Sequence, residues 1–251
     1  LAREARKREL PLGIVGVPKT IDNDIPLVYK SFGFETAVEQ AVHVISCAHT
    51  EAKGALNGVG LVKLMGRQAG FIAAMATRAS GDVNVCLVPE VPVRLEGENG
   101  LIAHMRRRLS ERSHAVVAVA EGACQDIIGS TGQRDASGNL IFKDVGIFLK
   151  EKLQEAFDTA GETIDIKYFD PSYIIRSVPA HSQDHVFCAD LARYAVHAGM
   201  AGKTDMLIGY WHGQFTHVPF RAIDDRGKAL RPTSSLWRSI LNTTGQPAQW
   251  G

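Results

Sequence analysis

The sequence has no run of eighteen or more apolar residues, and its first ten residues lack the apolar segment of a signal peptide. We therefore predict a cytoplasmic protein that does not enter a membrane. An excess of charge of one sign is also missing, because 28 Lys and Arg against 27 Asp and Glu give a formal net charge of +1. Surfaces that bind nucleic acid usually leave a strongly basic total, so small molecules are the better candidate ligands.

Cysteine is scarce, and its spacing is uninformative. The four cysteines are scattered without a C-x-x-C motif, and no histidine stands at metal-ligand spacing, which disfavours a zinc site or a disulfide scaffold. We expect Cys47, Cys86, Cys124 and Cys188 to be small buried hydrophobic side chains. A hydrophobic fraction of 45% excludes disorder, and 251 residues allow one large domain or two smaller ones.

Apolar runs of strand length alternate with stretches of helical period, and this alternation predicts an α/β fold with mainly parallel sheets. We predict strands at residues 12–18, 59–65, 83–90 and 114–123, and helices at residues 35–52, 71–79, 101–112, 144–160 and 184–202. A strand interrupted by Pro171 is predicted at 165–177, a hairpin around His212-Gly213, and a final helix capped by Ser234 or Ser235. Residues 129–139 read as a turn-rich loop.

The chain begins with Leu1, and residues 1–10 resemble a helix already under way. We interpret the chain as the C-terminal part of a longer protein.

Polar residues follow four of the predicted strands. They are residues 18–24, Met65-Gly66-Arg67, Pro89-Glu90 and Glu121-Gly122. Binding groups of parallel α/β sheets collect beyond the carboxyl ends of the strands, so we expect these clusters to face one cleft. Each has an ordinary explanation alone, such as capping by Asp22 or a helix-dipole contact by Glu121, and only their joint occurrence favours a ligand site.

The segments PKTIDNDI, GLVKLMGRQAGFIA, CLVPEVP and VAEGA together resemble the phosphofructokinase family. YFDPSYIIRSVPA and the segments after it resemble the branch with plant, trypanosome and many bacterial ATP-dependent enzymes, and the likeness covers nearly the whole chain. It implies a 6-phosphofructokinase of glycolysis, which transfers a phosphoryl group from ATP to the 1-hydroxyl of fructose 6-phosphate. It also implies a three-layer fold of two intertwined lobes with the active cleft between them. Residues 34–172 would bind the sugar, and residues 1–33 and 173–251 would form an incomplete donor lobe.

The resemblance assigns catalytic roles to the loop after the first strand. Asp22 is implied as the base for the attacking hydroxyl, and Thr20 as a contact to the transferred phosphate. Asp24 would orient the reaction centre and hold Mg²⁺ through water. Lys19 can reach a donor phosphate, with a solvated loop charge as its structural alternative.

Residues further along the chain are implied to bind fructose 6-phosphate. They are Met65, Gly66, Arg67, Glu121, Lys167, Tyr173 and Arg176. Glu121 would accept hydrogen bonds from sugar hydroxyls, and Arg176 would bind the 6-phosphate. Lys167 would come from across a subunit boundary, which implies a homodimer or homotetramer. Tyr173 has an equally good reading as a core aromatic.

Two departures from the family pattern leave alternatives open. Gly58 stands where many bacterial members carry a cation, and the glycine-rich loop that cradles the donor phosphates is not in this sequence. Lys19 is associated with pyrophosphate users, so pyrophosphate remains an alternative donor to ATP. A non-catalytic sugar phosphate-binding paralogue is a second alternative, and a kinase for nucleotides or lipids is a third.

Overall fold

The computed structural model describes residues 1–129, 131–134, 141–223 and 227–251. Its helices are α1 (Ala2–Lys7), α2 (Phe34–Lys53), α3 (Phe71–Ser80), α4 (Leu101–Arg112), α5 (Gln125–Ile128), α6 (Val145–Thr159), α7 (Ser172–Arg176), α8 (Ser182–Met200) and α9 (Ser235–Thr244). Its strands are β1 (Val15–Gly16), β2 (Gly58–Leu64), β3 (Val85–Leu87), β4 (His114–Ala120), β5 (Asp165–Phe169), β6 (Met206–Trp211) and β7 (Gln214–Pro219). Most of the turn-rich loop predicted at 129–139 lies outside the described residues. No helix in the described ranges is long and apolar enough to cross a membrane.

The chain divides into two compact units. The first contains residues 1–37 and 178–228, and the second contains residues 38–177 and 229–251. Residues 229–251 thus belong with the second unit, whereas the family resemblance implies that they belong to the donor lobe. The assignment of donor and sugar roles to lobes remains a prediction.

The second unit contains a four-stranded sheet in the order β3-β4-β2-β5, in which every neighbouring pair is parallel. Strand β3 and most of β2 and β4 are buried. Their continuous apolar runs are typical of parallel strands covered on both faces by helices. The predicted parallel sheet is confirmed, and the carboxyl ends of its strands share one edge.

Helix α2 packs unusually close to β2. It buries a face that contains small residues, including Ala41, Ala48 and Ala52. A Cβ atom at Gly58 would lie 2.1 Å from the Ala52 carbonyl oxygen, and one at Gly60 would lie 2.6 Å from that of Ala48. The glycine at residue 58 therefore has a packing reason, since a side chain there would overlap the helix backbone.

The first unit contains a three-stranded sheet in the order β1-β6-β7. β1 is parallel to β6, whereas β6 and β7 form the predicted antiparallel hairpin. Its turn residues His212 and Gly213 both have positive φ, 47° and 80°, as a two-residue hairpin turn requires. One core cluster of the unit is formed by apolar residues of α8 and β6, namely Phe187, Leu191, Ala198, Met206 and Ile208.

The buried strand predicted at residues 12–18 is mostly absent. Only Val15 and Gly16 pair, with β6, while Leu12 is 58% exposed and Val17 is 42% exposed. Among the described residues β1 pairs with β6, and its apolar run is only partly covered.

The strand predicted across Pro171 is wrong in its second half. β5 ends at Phe169, because Pro171 has no N–H for a sheet. The Asp170 carboxylate then accepts a hydrogen bond from the Ser172 backbone N–H, and the short helix α7 begins. Tyr173 is consequently 74% exposed, so its reading as a core aromatic is also wrong.

Prediction of the cysteine environments is partly wrong. All four cysteines are free thiols, and Cys86 and Cys124 are buried as expected. Cys47, in contrast, is exposed on α2, and Cys188 is half-buried on α8.

Candidate functional site

The loop after β1 is held from within by Asn23. This residue is buried, and its backbone has a positive φ of 54°. Its Nδ2 donates to the Tyr29 carbonyl (3.2 Å), and its Oδ1 accepts from the Ser31 N–H (3.1 Å). Asn tolerates left-handed backbone and can replace backbone hydrogen bonds, which is the signal that could have identified it in the sequence. Asp22 and Asp24 therefore flank a fixed anchor.

Thr20 and Asp22 are linked within the same loop. The Thr20 hydroxyl oxygen accepts from the Asp22 backbone N–H at 3.1 Å, which leaves the hydroxyl proton able to donate elsewhere. One carboxylate oxygen of Asp22 is shielded from solvent. Lys19 is exposed, and its backbone forms a parallel bridge with Phe32. The loop of residues 18–24 thus combines the predicted hydroxyl and carboxylate groups with the exposed ammonium of Lys19.

Lys228 braces the far end of this loop and was not singled out from the sequence. Its N–H donates to the Asp24 carbonyl (2.6 Å), and its Nζ donates to the Val28 carbonyl (2.7 Å). Burial lowers the pKa of Lys228 to about 8, against an opposing effect of the Asp24 charge. Nothing in its sequence context, RGKAL, distinguishes it from a surface lysine.

The donor set of this loop fits Mg²⁺ rather than a transition metal. Asp22 and Asp24 offer two carboxylates within three residues. Mg²⁺ usually takes one or two protein carboxylates and fills its remaining positions with water and phosphate oxygens. Within the described ranges no group of three or more His, Cys, Asp or Glu side chains is arranged to hold a metal.

In the second unit, the ends of β2 and β4 are joined backbone to backbone. The Glu121 N–H donates to the Leu64 carbonyl (2.8 Å), and the Gly122 N–H donates to the Gly66 carbonyl (3.1 Å). A Cβ at Gly122 would lie 1.8 Å from the Arg67 carbonyl oxygen, and Gly66 has a φ of 129°. Both positions therefore require glycine, and a Cβ at Gly66 would also lie 2.6 Å from the Ala69 carbonyl oxygen.

Arg67 and Glu121 meet at this edge as predicted. Their Nε and Oε1 atoms lie 3.4 Å apart, and the Arg67 side chain is 39% exposed. Burial raises the pKa of Glu121, while the charges of Arg67, Lys63 and Arg176 oppose the rise. A carboxylate beside exposed cations can accept hydrogen bonds from sugar hydroxyls while the cations face a phosphate.

The three residues expected around the 6-phosphate are not all linked. Arg176 and Tyr173 are exposed on α7, with the guanidinium carbon 4.9 Å from the ring centroid. Lys167 lies on β5, where its Nζ pairs with Asp165 at 3.0 Å. Among the ion pairs of the described residues, that of Lys167 is with Asp165, whereas Arg67 pairs with Glu121.

A cluster of charged residues near the carboxyl end of β2 was not predicted from the sequence. Lys63 lies two residues before Met65 and forms ion pairs with Asp144 and Asp170. The signal was a lysine within the apolar run GVGLVKLM, but its partners stand 81 and 107 residues away in the sequence. Such contacts depend on the fold and not on any local pattern.

The chain matches a family model described as Phosphofructokinase over residues 1–199. An ATP-dependent 6-phosphofructokinase of Borreliella burgdorferi is 50% identical over 255 residues, which cover 98% of this chain and 57% of that protein. ATP-dependent 6-phosphofructokinase 7 of Arabidopsis thaliana is 46% identical, with coverage of 99% and 52%. The chain spans about half the length of the curated relatives it matches.

Solved structures show the same fold. A pyrophosphate-dependent phosphofructokinase from Marinobacter aquaeolei has a TM-score of 0.73 at 18% identity, over 99% of this chain and 64% of that chain. Phosphofructokinase from Saccharomyces cerevisiae has a TM-score of 0.66 at 22% identity, over 93% of this chain and 27% of that chain. The α/β phosphofructokinase-like fold predicted from the sequence is confirmed.

Proposed function

Because this chain belongs to the phosphofructokinase family, we propose that the complete protein transfers a phosphoryl group from ATP to the 1-hydroxyl of fructose 6-phosphate, giving fructose 1,6-bisphosphate. The observation that carries the proposal is the loop of residues 18–24, where Asn23 fixes the backbone between two acidic side chains. A module that only bound sugar phosphate would have no use for a base at Asp22, which disfavours the non-catalytic alternative. We propose that the protein acts in glycolysis, in the cytoplasm.

Asp22 accepts the proton of the 1-hydroxyl in this proposal. As the hydroxyl oxygen forms its new bond to phosphorus, the bond from phosphorus to the donor's bridging oxygen breaks, and the donor leaves as ADP. A positioned base of this kind typically contributes about 10²–10⁴-fold in rate. Thr20 donates its free hydroxyl proton to the transferred phosphate, and Lys19 brings its ammonium to the donor phosphates.

Asp24 is the proposed holder of Mg²⁺ through water. The ion would neutralise charge on the donor phosphates, as it does in phosphoryl transfer generally. The buried Asn23 amide keeps the Asp24 backbone in place, and Lys228 binds its carbonyl.

The sugar phosphate is proposed to bind at the edge formed by Met65, Gly66 and Arg67. Glu121 accepts hydrogen bonds from sugar hydroxyls, and Arg176 and Tyr173 bind the 6-phosphate. Lys167, which pairs with Asp165 on β5, is proposed to contribute across the subunit boundary of a homodimer or homotetramer.

ATP is favoured over pyrophosphate as the donor. Relatives with 42–50% identity are named ATP-dependent, whereas the pyrophosphate-dependent proteins are structural neighbours at 17–18% identity. Lys19 alone points the other way.

The test is an assay of the complete protein with fructose 6-phosphate and Mg²⁺, given either ATP or pyrophosphate, with fructose 1,6-bisphosphate measured directly. Turnover with ATP is expected. Turnover with pyrophosphate and not with ATP would show that pyrophosphate is the donor. Binding of the sugar phosphate without turnover on either donor would favour the non-catalytic paralogue.

A further inference from the structure

Lys63 places a buried ammonium between two carboxylates at the end of β2. Its Nζ lies 2.6 Å from Asp144 Oδ2 and 2.8 Å from Asp170 Oδ2, and 12% of its side chain is exposed. Burial acts to lower the pKa of Lys63, but hydrogen bonds to its partners outweigh this effect and hold the pKa above its ordinary value. The group therefore remains charged, and we refer to Lys63, Asp144, Tyr168 and Asp170 as the Lys63 cluster.

One arm of the Lys63 cluster fixes the start of α6. Asp144 Oδ1 accepts from the backbone N–H groups of Gly146 (2.9 Å) and Ile147 (3.0 Å), so Asp144 caps this helix. The Tyr168 hydroxyl donates to the same carboxylate at 2.8 Å. A Cβ at Gly146 would lie 2.1 Å from the Tyr168 ring, so glycine is needed for this approach. The contacts tie α6 to β5.

The other arm reaches α7. Asp170 accepts from the backbone N–H and the hydroxyl of Ser172, the first residue of this helix. Among its five residues α7 buries only Ile175, and helices this short are not stable alone. The ion pair with Lys63 therefore connects the start of α7 to the strand that leads into Met65 and Arg67.

The charge balance argues against a direct phosphate contact by Lys63. One ammonium faces two carboxylates, so these three groups carry a net charge of −1, which repels an anion. The Lys63 and Arg176 charges both act on the Glu121 carboxylate, however, which places the cluster close behind the edge proposed to bind the sugar.

We propose that Lys63 is a positioning residue that holds α7, and hence Arg176, in register with Arg67 and Glu121. It sets the affinity for the phosphorylated sugar through Asp170 and Ser172, without touching the ligand. The inference rests on the proposed function, because it concerns the sugar phosphate site assigned there.

The test compares Lys63→Met with Lys152→Met in the complete protein. Lys152 is an exposed lysine of α6 paired with Glu155, so its loss removes the same charge at the surface. For Lys63→Met we expect the KM for fructose 6-phosphate to rise about ten-fold or more while kcat changes less than about three-fold, since misplacement of a remote phosphate contact weakens ground and transition states alike. Unchanged KM would overturn the proposal.

A double variant separates positioning from general loss of structure. If Lys63 acts through Arg176, then Lys63→Met adds little to Arg176→Ala, and the double variant stays within about two-fold of the KM of Arg176→Ala. If the KM increases of the two single variants multiplied in the double variant, Lys63 would not act through Arg176.

Asp170→Asn repeats the test should Lys63→Met fail to fold, because it weakens the α7 arm and leaves the Lys63–Asp144 pair. Its KM should rise as well, and an unchanged value would overturn the proposal. The Kd of fructose 6-phosphate from calorimetry gives the same comparison without turnover. Wild-type turnover thus reports on the proposed function, and the ratios of KM or Kd among variants report on the positioning role.

Discussion

The side chain of Gln246 occupies the place of a neighbouring strand beside Cys86. Its Oε1 accepts from the Cys86 N–H at 2.7 Å, and its Nε2 donates to the Cys86 carbonyl at 3.0 Å. Cys86 lies in β3, which is an edge of the second unit's sheet, and Gln246 is 5% exposed. One amide thus satisfies two buried backbone groups that an edge strand would otherwise leave without partners.

Gln246→Ala should therefore destabilise the protein by about 1–3 kcal/mol, because it leaves a buried N–H and a buried C=O unsatisfied. Urea unfolding followed by circular dichroism measures this change. Gln154→Ala removes an exposed amide bonded to Asp158 and should cost less than about 0.5 kcal/mol. Equal losses for the two variants would show that the Gln246 contact carries no special stability.

Asp22→Asn tests the proposed base. Loss of a general base should lower kcat by about 10²–10⁴-fold with little change in the KM for fructose 6-phosphate. Asp158→Asn, on the exposed face of α6, is the matched control and should leave kcat unchanged. Steady-state kinetics of the complete protein decide the question, and a kcat within about three-fold of wild type would exclude Asp22 as the base.

Arg176→Ala tests recognition of the 6-phosphate. A hydrogen bond to a charged group contributes about 1.5–3 kcal/mol, so the KM should rise roughly ten- to a hundred-fold. kcat should fall much less, because the contact is remote from the reacting hydroxyl. Arg193→Ala, an exposed arginine of α8 paired with Asp190, should leave both constants unchanged. An unaltered KM for Arg176→Ala would make Arg176 a surface charge of α7.

Lys228 gives a pH dependence of stability with a defined sign. Its pKa is lowered from 10.5 to about 8 in the folded protein, so the unfolded chain binds more protons between these values. The free energy of unfolding should gain from Lys228 as the pH rises through this window, and below pH 8 the buried charge is a full cost. Lys228→Met should lose this rise relative to wild type. Parallel stability curves for the two proteins across the window would contradict it.

The four cysteines should react at very different rates. Burial raises the pKa of Cys86 and of Cys124 to about 12, whereas Cys47 is exposed on α2. Only the thiolate is nucleophilic, so iodoacetamide should modify Cys47 first and Cys188 more slowly, and should spare the buried pair until the protein is denatured. Mass spectrometry of the native protein during labelling would measure the order. Early modification of Cys86 or Cys124 would contradict the packing described here.

Sequence periodicity predicted the alternation of strands and helices well where one face is uniformly apolar. α2 and β4 lie within a few residues of their predicted bounds, because burial of a continuous apolar face determines both. The error at α7 arose where apolar SYII follows Asp170-Pro171. A local hydrogen bond from the Ser172 backbone N–H to the Asp170 carboxylate favours the start of α7 there. The hydrophobic pattern carries no information about such a hydrogen bond.

The residues of the candidate site also differ in how far the sequence could predict them. Asp22, Arg67 and Glu121 could be proposed from the sequence because they stand just after apolar strands, in segments similar to a known family. Asn23 and Lys63 act through contacts with other parts of the chain, and for Lys63 those contacts depend on the packing of α6 and α7 against the sheet. Residue type alone could not assign such roles.

The close packing of α2 on β2 limits which side chains residue 58 could carry. A cationic side chain introduced at residue 58 would have its Cβ 2.1 Å from the Ala52 carbonyl oxygen. Such a side chain would need α2 to be shortened or tilted by a compensating change in its last turn. Residue 58 and the last turn of α2 are therefore coupled, because a side chain larger than glycine at residue 58 requires a change in both segments.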